Sequence, residues 1–486
     1  MKRVIEEGIA SQIKEALTTG VFLVGIALQL GASNKIIGIL GAIPFLANLF
    51  QIPALFLIEK YRDRRKIVSI ACFISRGFLL LVAAAPFFDN KNMGIAMVVL
   101  GMTMRYCVGA LSICGWNSWM RDLVPSRLLG RFFSRRLFYI QSTALCLTLA
   151  AGFFIDWWRD SFPVHVAFSY SILYLLGFIA GSVSSAMIMT IPHPPMSYKE
   201  KGSYSPSFRW SYLKTPFRNR NFRKLMLFLV SWNFAVNLAA PFFTVYMLKT
   251  LHYDMSFVVG ITLMGQIVHV ISLRVWGKYS DLYSNKTVMG ICGTIFMFCI
   301  LGWTFTTFPD KHKYTTLLLV VLHIFMGVAN SGVMLTSSNI ALKLAPKDKA
   351  TTYLAVNSII SSLAAGIAPL IGGNFADYFE DKVITFDIRW QEAGLPEFIF
   401  PTLSIQHWDF FFLLAFIIGL YALRRLSLIE ERGAVHKHIL IRELMYDTGR
   451  TLRSISTVSG LRDLVMIPMA MMVNMVKRHQ SSDSNT

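Results

Sequence analysis

Long apolar runs alternate with short hydrophilic breaks along the whole chain. Each run is close to the ~20 residues a helix needs to cross a bilayer. The runs fall at about 16–32, 36–58, 67–87, 93–115, 138–155 and 166–191, then at about 224–248, 255–276, 287–307, 315–338, 351–375 and 409–427. The pattern predicts an all-α polytopic membrane protein of twelve spans. Most breaks are too short to hold a domain. Trp276–Lys286, WGKYSDLYSNK, reads as a tight hairpin between two antiparallel helices, with Gly277 permitting close helix approach and Asp281, Tyr283 and Lys286 at the turn. The break at 192–223 is longer and rich in Pro, Ser and Lys, which predicts a linker with one short helix.

The runs repeat. FIDWWRD at 154–160 returns as FADYFED at 375–381, an offset of 221, and the same offset carries Gly152 onto Gly373 and Leu123-Val-Pro125 onto Leu344-Ala-Pro346. An offset of 222 carries Glu59, Tyr61 and Arg64 onto Asp281, Tyr283 and Lys286. Agreement at almost one spacing predicts two tandem six-helix bundles, 1–191 and 224–427, joined by the linker and followed by a tail, 428–486. In the tail, Ile441, Leu444, Met445, Leu452 and Ile455 recur at helical spacing beside Arg442, Arg450 and Arg453. That predicts an amphipathic helix on a membrane surface. The Met-rich stretch Leu464–Val476 is too short to span and contains Pro468.

Composition agrees: 54% of 486 residues are hydrophobic, only 15% are charged, and mean hydropathy is +0.52. The net charge of +20 would point to nucleic acid if it were spread evenly. Instead, 37 of the 47 Lys and Arg fall on one side of the predicted topology, and 8 on the other, such as Lys35, Lys91 and Arg159. The positive-inside rule then places both termini in the cytoplasm, and the chain is expected in the cell (inner) membrane. The basic charge is accounted for by topology and by anionic lipid at the inner leaflet, with no role for nucleic acid. The six cysteines all sit inside apolar runs without CxxC spacing, so neither a metal site nor a disulfide framework is expected. No small-residue cleavage site follows the N-terminal charges, which argues against a cleaved signal peptide. No Walker loop, G-x-S-x-G or H-E-x-x-H motif is present, so no enzyme, ATP-driven pump or cofactor is expected.

Six plus six spans, a basic middle segment and acid-turn-base hairpins after spans two and eight resemble the major facilitator superfamily of secondary transporters. Its hairpin signature is followed by Gly277, Asp281, Tyr283 and Lys286, with departures at Leu282 and Ser284; the first copy, LIEKYRDRRK, has Glu59 in place of Asp and Leu55 in place of Gly. A second signature, Arg with Gly four residues on in span four, is matched by Arg105 and Gly109. AAGIAPLIGG at 364–373 resembles the family's Gly-Pro motif, and WNSWMRDLVPSRLLGRFF at 116–133 resembles bacterial members of uncharacterised substrate. The resemblance covers about 10–427. It implies alternating access and no cofactor, and it makes the hairpins a latch between the halves in which Arg64 and Lys286 meet acids.

Polar residues inside the runs are the candidate solute and coupling groups. Arg76 and Arg105 lie nine or more residues from either end of their runs, roughly 15 Å deep at ~1.5 Å per residue. A charge there costs at least ~2.5–3.5 kcal/mol, so each needs a partner or a wet cavity. The central thirds of the runs hold no Asp or Glu: Glu15 is expected near the inner end of span one, and Asp156 and Asp377 at outer ends, with structural roles. Asn48, Gln51, Gln141, Asn233, Asn237, Gln266, His269, Asn330 and Asn357 offer donors and acceptors for a polar solute, or hydrogen bonds between helices. Two deep Arg without an embedded acid point to an organic anion, moved by a monomeric, proton- or solute-gradient-coupled permease. Sugar uptake, export of amphipathic compounds, and a non-transporting sensor or scaffold acting through the tail are the alternatives.

Overall fold

The structure, a computed structural model, describes residues 2–61, 63–125, 129–194, 215–307, 312–346, 350–390, 398–431 and 442. Among them eleven helices are long and apolar enough to cross a membrane, and the interval expected for span two is helical but broken. In chain order the spans are Lys2–Thr18 with Val21–Gln29, Asn34–Ala47 with Gln51–Tyr61, Arg64–Ala84, Lys91–Leu123, Leu129–Ser161 and Val166–Thr190. The second half runs Arg220–Val245, Met255–Leu282, Asn285–Thr304, Thr315–Leu344, Ala350–Tyr378 and Trp408–Ser427. The expected tail helix and most of the linker lie outside the described residues.

Local chemistry sets several boundaries. Asp63, Asn90, Asn219 and Ser284 accept backbone N–H groups with their side chains at the starts of spans three, four, seven and nine. Span two carries Pro44 inside its first helix, and a 3-10 turn at Asn48–Phe50 separates that helix from Gln51–Tyr61. Proline removes an N–H and crowds the preceding turn, and Pro53 just after this 3-10 turn accounts for the break there. Spans four and five have 33 residues each, about 50 Å of helix, and must project beyond the ~30 Å hydrocarbon layer. The apolar runs therefore understate these helices by several turns. Span eight likewise remains helical to Leu282, so Asp281 lies in its last turn, exposed, rather than in the loop. Nothing lies within 4 Å of where a Gly277 Cβ would stand, which removes the expected packing role for that glycine.

Within the first half, span three packs on four and six, and span one on six; within the second, spans eight and nine pack on ten, and seven and nine on twelve. The halves meet along spans two and eleven and along spans five and eight. The AAGIAPLIGG stretch forms part of that contact. A Cβ on Gly38 would come within 2.2 Å of the Pro369 carbonyl oxygen, and one on Gly373 within 2.5 Å of the Asn34 carbonyl oxygen. Only glycine admits this approach.

Between spans eleven and twelve, β1 (Val383–Trp390) pairs antiparallel with β2 (Phe398–Gln406), Val383 opposite Gln406, with an irregularity at Phe386/Asp387. The apolar-run pattern does not foresee this hairpin. The period-two alternation of VITFDIRW is the signal that carries it.

A buried ion pair at the break in span one

Span one begins far earlier than its apolar run. It occupies Lys2–Gln29, so Glu15 falls near its middle and not at an end. The helix breaks immediately after: Thr18 closes the first segment, and Gly20 adopts φ 60°, a conformation glycine reaches without strain. The break frees backbone groups inside the protein. Tyr174 donates its hydroxyl proton to the Thr18 carbonyl at 3.0 Å, and Thr18 and Thr19 donate to the carbonyls of Lys14 and Glu15. Discontinuous helices with partners of this kind are where secondary transporters place their binding groups.

Arg105 meets this break. One guanidinium nitrogen donates to Glu15 Oε2 at 2.6 Å, and the other Glu15 oxygen lies 2.6 Å from Lys14 Nζ. Arg105 is 3% exposed, whereas the Glu15 side chain keeps 39% of its surface. The Tyr106 ring centroid is 4.9 Å from the guanidinium carbon. Gly109 brings span four against span three: a Cβ there would sit 3.1 Å from Ser75 Oγ, and Ser75 donates to the Arg105 carbonyl at 2.7 Å. The Arg–Gly signature thus seats the arginine. An embedded acid does exist, so the expectation that both deep arginines lack one is corrected for Arg105. The error arose because Lys14 and Glu15, being charged, terminate the apolar run while the helix continues through them.

Arg76 is held differently. Its guanidinium donates to the Gly181 carbonyl, to Ser185 Oγ and, at 3.0 Å, to Ser184 Oγ, all on span six. Ser184 donates on to Glu7, which also accepts from Arg136 at 3.3 Å. This chain of bonds ties spans one, three, five and six, and Gly181 lets the Arg76 and Lys14 stems pass. Arg76→Met is therefore expected to lower thermal stability in detergent while leaving the KM for the solute unchanged.

The remaining polar residues are dispersed. Gln51 donates to Asn48 Oδ1 at 3.1 Å beside the break in span two, and Cys114 faces Gln51. Asn233 and Asn237 donate to carbonyls of their own helix, Leu229 and Asn233. Gln141, Gln266 and Asn330 are exposed, and His269 and Asn357 half-buried. None of these joins the Lys14–Glu15–Arg105 cluster through a described hydrogen bond. The hairpin cations are bound within their own halves. Arg64 pairs with Asp122 at 2.6 Å and reaches the Pro194 carbonyl, while Lys286 Nζ donates to the carbonyls of Ser427 and Ile429. Each of these bonds stays within its own half. Glu59 lies in the last turn of Gln51–Tyr61.

The family model described as Major Facilitator Superfamily matches residues 9–369 and 261–443. The chain belongs to the major facilitator superfamily. It is accordingly a multi-pass secondary transporter with a small-molecule solute. An uncharacterized MFS-type transporter of Methanocaldococcus jannaschii is 28% identical over 107 residues, 22% of this chain; the match spans about a quarter of that relative's length, 26%. Among solved structures, the nucleoside transporter NupG superposes with a TM-score of 0.64 at 14% identity, covering 88% of this chain and 99% of that one. A bacterial homologue of the iron transporter ferroportin, in an inward-facing state, gives 0.61 at 11% identity over 88% and 97% of the two chains. At such identities the likeness is one of fold.

Proposed function

We propose that this member of the superfamily moves an organic anion with a proton across the cell membrane, using Arg105 and Lys14 for the anion and Glu15 for the proton. The observation that carries this reading is the Glu15–Arg105 pair at mid-span, whose carboxylate stays partly exposed. A partly exposed charge at membrane depth belongs to a water-filled cavity. Lys14 and Arg105 both stand against one carboxylate, Glu15, so the locale keeps a positive excess even after pairing. Glu15 serves as the resident counter-ion. When it takes a proton, Arg105 and Lys14 lose that counter-ion and receive the anionic group of the solute; when the solute leaves, Glu15 releases its proton and re-pairs. The two halves rock around this site, and the positive-inside rule makes the basic face, which holds both termini, the cytoplasmic one.

The test uses full-length protein in liposomes loaded with a trapped pH indicator. Small mono- and dicarboxylates are compared with neutral sugars under an imposed pH gradient. Anion uptake accompanied by proton movement is the expected result. Transport of neutral sugars without any competition from anions overturns the proposal.

A further inference from the structure

Two carboxylates far from the ion-pair cluster hold the halves together, and they do so identically. Asp156, near the end of span five, accepts the backbone N–H groups of Met255 at 3.0 Å and Ser256 at 2.7 Å, the first residues of span eight. Asp377, near the end of span eleven, accepts those of Asn34 and Lys35, both at 3.0 Å, the first residues of span two. The acceptors are related by the repeat offset of 221, and so are both pairs of donors. Each carboxylate therefore caps a helix of the opposite half. One turn before each stands a glycine of the same repeat, in GFFID at 152–156 and GNFAD at 373–377. A Cβ on Gly152 would meet Ser256 Cα at 3.2 Å, and one on Gly373 would meet the Asn34 carbonyl oxygen at 2.5 Å. The glycine admits the neighbouring helix start, and the short Asp side chain then reaches it.

The helices being capped own residues suited to the task. Ser33 and Asp254 occupy the N-cap positions of spans two and eight, with extended backbone, and both are residue types that favour capping. Neither caps its own helix here. Asp254 instead pairs with Arg159 of span five at 2.9 Å, a further tie between the halves on this side. All these contacts lie at the end of the bundle opposite Lys2 and Glu431.

We propose that Asp156 and Asp377 are a symmetric pair of clasps that close this face, and that Ser33 and Asp254 are reserve caps that take over the freed N–H groups when it opens. Parting the halves exposes the first-turn donors of spans two and eight, and without a substitute partner those donors oppose opening. With the reserve caps in place the exchange is one oxygen acceptor for another. The clasp thus biases the equilibrium between the two states without locking it. The inference uses the rocking of the halves and is independent of which solute is carried.

The test measures distances across this face in full-length protein by pulsed electron spin resonance. Spin labels go on the exposed positions Asp89→Cys and Lys313→Cys, one per half, with the native cysteines replaced. Asp156→Ala and Asp377→Ala are each expected to raise the open-to-closed ratio about 5-fold, and together about 30-fold. Adding Ser33→Ala to Asp156→Ala is expected to move the ratio back toward closed, about 5-fold. Thermal melting checks that the variants are folded, and the reserve caps predict that the single alanine variants melt near the parent. An unchanged distance distribution in the double alanine variant overturns the clasp. A shift toward open on adding Ser33→Ala overturns the reserve-cap role. Because neither readout involves solute, failure here leaves the anion–proton reading standing, and failure of that reading leaves the clasp standing.

Discussion

In proteoliposomes, Arg105→Ala is expected to lower solute uptake at least about 10-fold, and up to about 100-fold, while the protein still inserts as a monodisperse species. Hydrogen bonds to charged groups are worth about 1.5–3 kcal/mol each, and in the proposed mechanism Arg105 makes one to the substrate in place of the one it makes to Glu15. The variant also strips Glu15 of one of its two cationic partners. Breaking a buried pair from one side destabilises by about 3–5 kcal/mol, an upper figure here because the Glu15 side chain is partly exposed. Loss of uptake alone would therefore not separate chemistry from folding. Glu15→Gln separates them. It keeps the shape and removes the proton site, so anion exchange down no gradient is expected to survive while accumulation driven by a pH gradient is lost. Arg105→Lys keeps the charge but not the planar two-nitrogen fork, and intermediate uptake with a raised KM is expected. Wild-type uptake in a folded Arg105→Ala variant would show that the pair is structural.

Much of the architecture was legible because lipid imposes it. A bilayer demands continuous apolar helices, and the tandem offset of 221, visible in FIDWWRD and FADYFED, foretells which elements will be mates across the two halves. What remained hidden follows from the same rule applied too literally. Lys14 and Glu15 ended the first apolar run, yet an ion pair with Arg105 lets the helix carry them to mid-depth. Glu7 is concealed in the same way by Ser184 and Arg136. A charge whose partner lies ninety residues away cannot be recognised as paired from spacing alone. Asp156 and Asp377 were visible as symmetry mates, but their partners are backbone N–H groups of the other half, and backbone donors leave no residue signature. The broken second span was signalled by Pro44 and Pro53, though the apolar run passes through both.

Glu431→Ala is expected to destabilise the second half by about 3–5 kcal/mol, and Lys343→Ala by no more than about 1 kcal/mol, although the two residues form one ion pair. The asymmetry comes from burial. The Glu431 side chain is 1% exposed and that of Lys343 49%. Glu431 also accepts from Asn285 Nδ2 at 3.1 Å and from the Lys286 backbone N–H at 2.7 Å, so its loss strands donors that water reaches poorly. Loss of Lys343 leaves those bonds intact. The first half shows a related arrangement with the acid on a different element. There Arg64, the counterpart of Lys286, pairs with Asp122, the counterpart of Lys343, and also touches Pro194, which follows span six as Glu431 follows span twelve. The acid has changed elements: it sits on span four in one half and beyond span twelve in the other. A double variant, Glu431→Ala with Lys343→Asp, places the acid at the position it holds in the first half. Thermal unfolding in detergent, with amide exchange followed at Asn285 and Lys286, is expected to show recovery of at least half the lost stability. If the double variant is no more stable than Glu431→Ala, the two ends are not equivalent in charge logic, and the burial of Glu431 alone accounts for the effect.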